Sequence, residues 1–254
     1  MKKIHDTLKT ANDDSIAYIY DYSLDNKYNL IWFGGLHSHM HGTKASAISS
    51  YAEQNGLNLC RFDYSGHGES SGEFKDCNIS GWINDSLSII DEICLGPQIF
   101  IGSSMGGWLA LLTALKRKDK VSGIILLAPA VDMTEILMWD SFKEDEKELI
   151  CNQGYLEKSS EGYDSSYLIT SQLIKDGRKH LLLNNPIILD CPIKIIHGMK
   201  DQSVPWDLSL RVSESLSSTS VVKTFIKDAD HSLSRKDDLN YLFLSIKEMI
   251  KIAY

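Results

Sequence analysis

Pro97-Gln98-Ile99-Phe100-Ile101-Gly102-Ser103-Ser104-Met105-Gly106-Gly107-Trp108-Leu109-Ala110 opens as an apolar, β-leaning run and closes on residues that favour a helix. Between the two, Gly102-Ser103-Ser104-Met105-Gly106 fits G-x-S-x-G with Ser104 at its centre. The spacing has a mechanical cause. A sharp strand-to-helix turn holds the serine in a strained backbone conformation, and only small residues two places away let the flanking chains approach. The hydroxyl is lifted clear of the sheet, facing the first amides and the positive dipole end of the helix. Ser104 is therefore the candidate nucleophile. The plain alternative is a Gly-Ser loop leading into an ordinary helix, so a nucleophile's partners must be found elsewhere in the chain.

Strands and helices alternate on both sides of this turn. Upstream, residues 15–22 read as an early edge strand, 28–33 as a strand ending at Gly34-Gly35, and 44–55 as a helix. Residues 57–62 form a strand ending in the polar loop Asp63-Tyr64-Ser65-Gly66-His67-Gly68, and 78–94 carry Ile79, Trp82, Ile83, Leu87, Ile90 and Ile93 at near-helical spacing. Downstream, 121–127 is an almost unbroken apolar run, as expected of a strand buried on both faces. Strands at 193–196 and 221–226, with helices around 208–216 and 237–250, complete the pattern. The alternation implies an α/β fold: a mostly parallel sheet, right-handed crossovers and helices on both faces. From about residue 131 to 189 the rhythm breaks, and an insertion of short helices over the sheet edge is expected, a lid within one domain spanning 1–254.

With 254 residues the chain can bury a full core, and its 43% hydrophobic and 24% charged residues are ordinary for a globular protein. A formal charge of −8 argues against nucleic acid or an anionic membrane surface as partner. No apolar run approaches the length of a transmembrane helix. Five scattered cysteines (Cys60, Cys77, Cys94, Cys151 and Cys191) without C-x-x-C favour free thiols in a reducing compartment. The first residues lack the apolar core of a leader and soon turn acidic, so a cytoplasmic protein is expected.

A serine hydroxyl attacks only when a base takes its proton and a third group holds that base in the right tautomer. In parallel sheets such groups gather at the carboxyl ends of strands. Asp201 follows the strand at 193–196, and His231 follows the strand at 221–226. The order Ser104, Asp201, His231 is that of an α/β-hydrolase triad, with Asp132 as the competing acid. Two backbone donors complete the site: the Met105 amide after the nucleophile and the Leu36 amide in the loop after Gly34-Gly35. His37, His39 and His41 form an H-x-H-x-H array, but no neighbouring carboxylate or cysteine completes a metal shell, and no metal or cofactor is called for.

The chain resembles the α/β-hydrolase superfamily and, within it, is similar to the branch of mitochondrial acyl-protein thioesterase and acyl-glucuronide esterase with its bacterial relatives. The resemblance is carried by Met40-His41-Gly42-Thr43-Lys44-Ala45, Arg61-Phe62-Asp63-Tyr64-Ser65-Gly66, the stretch from Gly96-Pro97-Gln98 to Gly106-Gly107-Trp108, and Cys191-Pro192-Ile193 through His197-Gly198-Met199-Lys200-Asp201 to Val204-Pro205-Trp206. It spans nearly the whole chain and is weakest in the insertion. It implies ester or thioester hydrolysis of a small-molecule or acylated substrate through an acyl-enzyme, with Ser104 as nucleophile, Asp201 as acid and His231 as base. The chain is expected to depart from the mitochondrial members in lacking a transit peptide, and it carries an unusual His37-Ser38-His39. The alternatives are a peptidase of the same fold or a binding module that has lost turnover.

Overall fold

The computed structural model describes residues 1–10, 14–24, 26, 28–159 and 166–253. In chain order the strands are β1 (Lys2–Lys9), β2 (Ser15–Tyr22), β3 (Asn29–Phe33), β4 (Asn58–Phe62), β5 (Gln98–Ser103), β6 (Val121–Leu127), β7 (Tyr155–Ser159), β8 (Ser166–Thr170), β9 (Ile193–Gly198) and β10 (Val221–Ile226). The α-helices are α1 (Thr43–Gln54), α2 (Ile79–Ser88), α3 (Met105–Lys116), α4 (Glu144–Gln153), α5 (Ser171–Gly177), α6 (Leu208–Ser215) and α7 (Lys236–Ile252). The central sheet has eight strands in the order β1-β2-β4-β3-β5-β6-β9-β10. Pairing is antiparallel at β1–β2 and β2–β4 and parallel from β4 across to β10.

The central strands β3, β5, β6 and β9 carry apolar runs because both of their faces are covered. Along β5, Ile99 and Ile101 pack in the layer of Ile48 from α1 and of Leu242, Ile246 and Met249 from α7. Phe100 points the other way, into the layer of Trp82 from α2 and Trp108 from α3. Phe33, Phe62 and Phe100 are fully buried there, and truncating any one to alanine costs about 3–5 kcal/mol. The layers hold the carboxyl ends of β3, β5, β9 and β10 at one rim, where the loops carrying Leu36, Ser104, Asp201 and His231 emerge.

Three sequence expectations change. The strand at 15–22 is not an edge, because β1 pairs with it along its whole length. Lys2-Lys3-Ile4-His5-Asp6-Thr7-Leu8-Lys9 has too few apolar residues to read as a buried strand, but a charged, mostly exposed strand suits an edge that must not recruit another chain. The helix expected over 78–94 stops at Ser88 and continues as a turn of π-helix over Ile89–Ile93, with the Cys94 amide bonded to the Ile89 carbonyl. The insertion holds more than helices, since β7 and β8 form an antiparallel pair within it. Residues 160–165 of that insertion lie outside the described residues. Among the described residues no helix is long and apolar enough to cross a membrane.

Candidate active site

Ser104 stands at the junction of β5 and α3 with φ 55° and ψ −122°, in the left-handed half of backbone space. A serine at a helix N-cap ordinarily turns its hydroxyl onto the helix amides, but Ser104 makes no such cap bond. Its backbone is clamped instead: the Ser104 amide donates to Leu127 (2.9 Å), and its carbonyl accepts from Gly107 (2.9 Å) and Ala130 (3.0 Å). The flanking glycines are sterically required. A Cβ on Gly102 would stand 2.7 Å from the Gly107 Cα, and one on Gly106 would collide with the carbonyl oxygens of Phe33 and Gly34. The turn therefore closes only with hydrogen at both positions.

The hydroxyl so presented meets a relay. His231 Nε2 lies 3.1 Å from Ser104 Oγ, and His231 Nδ1 lies 2.6 Å from Asp201 Oδ2. Because the carboxylate accepts, Nδ1 carries the proton and the Nε2 lone pair faces the serine. The Asp201 side chain is fully buried, whereas that of His231 is 31% exposed. Burial by itself would raise the Asp201 pKa; hydrogen bonds from His197, His231 and the Val204 amide outweigh it and hold the carboxyl well below the ordinary range.

Over this relay opens a cavity of about 830 Å³, whose wall includes Gly35, Leu36, Lys44, Lys200, Asp230 and Ser232 along with Ser104 and His231. Leu36 thus shares the serine's cavity. A Cβ on Gly35 would come within 3.4 Å of the Ser104 Cβ, so this loop runs tightly past that serine. Met105 is fully buried as the first residue of α3, where amides of the opening turn have no intrahelical acceptor.

A family model described as serine aminopeptidase, S33, matches residues 25–159, and one for the prolyl oligopeptidase family matches 98–248. The mitochondrial palmitoyl-protein thioesterase ABHD10 of Bos taurus is 38% identical over 221 residues, covering 87% of this chain and 72% of the relative. Among solved structures, one from Agrobacterium vitis superposes with a TM-score of 0.92 at 35% identity, covering 98% of each chain. Mouse α/β-hydrolase domain-containing protein 10 does so with a TM-score of 0.88 at 33% identity, also over 98% of each chain. The chain belongs to the α/β-hydrolase superfamily. It is a serine hydrolase of the class that opens carboxylic ester and thioester bonds. The expectation of a cytoplasmic protein is overturned by these relatives, since the palmitoyl-protein thioesterases of cattle, rat and human are mitochondrial. Composition and cysteine usage describe the solvent a fold tolerates, not the compartment that receives it.

The competing acid of this hydrolase sits elsewhere. Asp132 is buried, and its two oxygens accept the Leu182 (2.8 Å) and Leu183 (2.9 Å) amides, tying the start of the insertion to its return. Asp132→Ala is expected to lower unfolding free energy in urea by about 2 kcal/mol, since two half-buried amides lose a buried acceptor. Turnover by the folded fraction should stay within a few-fold of wild type. A collapse in kcat with unchanged stability would instead make Asp132 the triad acid.

In the H-x-H-x-H array His37 turns away, while the His39 and His41 rings stay 6.2 Å apart. His37, at φ 55°, packs on Phe74 (ring centroids 4.0 Å) and meets Tyr167 of β8 edge-on (5.1 Å), joining the loop after β3 to the insertion. His41 instead shares Glu69 with His5, each Nε2 lying 2.9 Å from one carboxylate oxygen, with ligand-type atoms within 4.8 Å of one another. The sequence expectation missed Glu69 because it lies 28 residues from His41 and only the fold joins them. Among the insertion's aromatics, Phe142 is buried in the main apolar core, and Trp139 packs against that core with Arg178 over its ring at 4.8 Å. Tyr155 is 43% exposed. Lys44, given no role by the sequence, donates to the Ser232 carbonyl (2.5 Å) beside His231. Burial draws its ammonium below the ordinary lysine range, with Asp230 and Asp201 opposing.

Proposed function

We propose that this hydrolase removes acyl groups from thioester- or ester-linked substrates through an acyl-enzyme on Ser104. The observation that carries the reading is the strained Ser104 with its hydroxyl 3.1 Å from His231 Nε2, itself backed by buried Asp201 at 2.6 Å. Ser104 Oγ attacks the acyl carbonyl while its proton passes to His231 Nε2. The tetrahedral oxyanion is received by the Leu36 and Met105 amides. As the C–S or C–O bond breaks, His231 returns the proton to the leaving thiolate or alkoxide. A water then attacks the acyl-enzyme, His231 takes one of its protons, and the carboxylic acid departs as that proton restores the Ser104 hydroxyl. Asp201 keeps the imidazole in the required tautomer throughout.

The substrate proposed is an acylated protein or a small acylated thiol. The palmitoyl-protein thioesterase relatives support it, and so does a cavity wall of mainly polar and charged side chains that suits a polar leaving part. The insertion over 131–189 serves as a lid, its Tyr167 touching His37 of the oxyanion loop.

The test is hydrolysis of p-nitrophenyl esters and acyl thioesters graded from acetyl to palmitoyl. Highest kcat/KM at long thioesters is expected; a preference for acetyl esters would mean a general carboxylesterase with a shallow pocket. The names of the matching family models favour a peptidase, and amino-acyl p-nitroanilides in the same series separate that activity. A fluorophosphonate probe that leaves Ser104 unlabelled would point to a binding module.

A further inference from the structure

Asp201 Oδ2 is shared by two histidines. One is His231; the other is His197, the penultimate residue of β9, fully buried, with Nε2 3.1 Å from that oxygen. The same Nε2 lies 3.1 Å from the Val204 carbonyl. Both neighbours are acceptors, so Nε2 carries a proton and donates to each. On the opposite side of the ring, Nδ1 lies 2.7 Å from the hydroxyl of Ser209, itself fully buried in the first turn of α6. That hydroxyl donates to Nδ1 and keeps the proton on Nε2. A buried imidazole is costly unless its polar atoms are paired, and here each is paired within a chain ending at the reacting serine.

We infer that His197 is a positioning residue for the acid-base pair: its Nε2–H, held in that tautomer by Ser209, fixes Asp201 Oδ2 toward His231 and tempers the charge offered to it. This rests on the roles proposed for Ser104, His231 and Asp201. The other Asp201 oxygen accepts from the Ser203 (2.9 Å) and Val204 (2.8 Å) amides, which anchor one end of the carboxylate but leave it able to twist. His197 supplies the second fixed point. It also withdraws electron density from Oδ2, so that Asp201 holds the His231 proton less tightly than a carboxylate facing His231 alone. The surrounding charged groups are Lys44 from α1, Lys200 after β9, and Asp228 and Asp230 before His231. The substitutions below alter none of them.

The experiment compares His197→Leu, His197→Gln and Ser209→Ala with wild type in kcat, KM and the pH profile of kcat/KM, with thermal unfolding and fluorophosphonate labelling alongside. Losing a hydrogen bond to a charged group should cut kcat of His197→Leu by about ten- to hundredfold, with KM little changed. Its acidic limb should move to higher pH, because the untempered carboxylate keeps His231 protonated further up the scale. His197→Gln, whose side-chain N–H reaches toward the same oxygen, should recover most of kcat and return the limb. Ser209→Ala should move the limb in the same direction by less. A folded His197→Leu with the wild-type limb and kcat overturns the proposal, as does a Gln variant no better than Leu, which would make the ring a packing element. If His197→Leu does not fold, an unmoved limb in Ser209→Ala overturns it. Activity and labelling that survive in Ser104→Ala would overturn the triad itself, whatever His197 does.

Discussion

Ser104→Ala is expected to lower kcat by about four to six orders of magnitude while leaving a folded protein. The hydroxyl's partner is His231, across the cavity mouth, and the Ser104 backbone bonds to Leu127, Gly107 and Ala130 do not involve the side chain. Alanine keeps those bonds and keeps φ at 55°, so its unfolding free energy should match wild type within about 1 kcal/mol. Ser104→Gly separates strain from chemistry. It should be equally inactive yet more stable than the alanine variant by about 1–2 kcal/mol, because glycine occupies this backbone region without penalty. Turnover of the preferred ester, fluorophosphonate labelling and urea unfolding on the three proteins check the set. An active Ser104→Ala would remove the nucleophile from the mechanism. A glycine variant less stable than alanine would mean the elbow stores no strain.

Asp201→Asn should cost about four orders of magnitude in kcat and also destabilise the fold, a combination Ser104→Ala lacks. In wild type, donors surround this carboxylate: the Ser203 and Val204 amides on one oxygen, His197 and His231 on the other. An asparagine supplies only one acceptor atom. If its oxygen stays on the two amides, its NH2 meets the Nε2–H of His197 and forces His231 into the other tautomer. The His231 Nε2–H would then point at Ser104 and could not take its proton. One buried donor clash and one lost charge-assisted bond together cost about 2–4 kcal/mol. Rates across the pH range, with urea unfolding of the same samples, test both halves. A stable, inactive variant would confine Asp201 to chemistry; an active one would assign the acid elsewhere.

Much of this was legible because it is local. The β5 run, the two glycines and the α3 residues lie within a few turns of each other, and their spacing alone requires a strand, a tight elbow and a helix. The order of Ser104, Asp201 and His231 along alternating strands was likewise readable, since each follows a β-leaning run, fully buried in β5 and β9 and half-exposed in β10. Chain order, however, cannot measure a distance across 127 residues, and the sheet order decides that His231 Nε2 arrives beside Ser104.

Residues whose role depends on what lies opposite were not readable. Asp132 follows a strand as Asp201 does, and only the return of the insertion gives it the Leu182 and Leu183 amides instead of a histidine. Lys2–Lys9 is too polar to announce a strand and becomes one because β2 offers an unpaired edge. His41 found its carboxylate in a distant loop, and His197 its hydroxyl in α6. The sequence by itself determined the periodicity of the buried strands, the elbow and the residue types able to do acyl transfer, because these follow from neighbours along the chain. The tertiary structure alone decided which acid meets His231 and which serine sets the His197 tautomer, because a hydrogen bond depends on distance and direction, which only the packed layers supply.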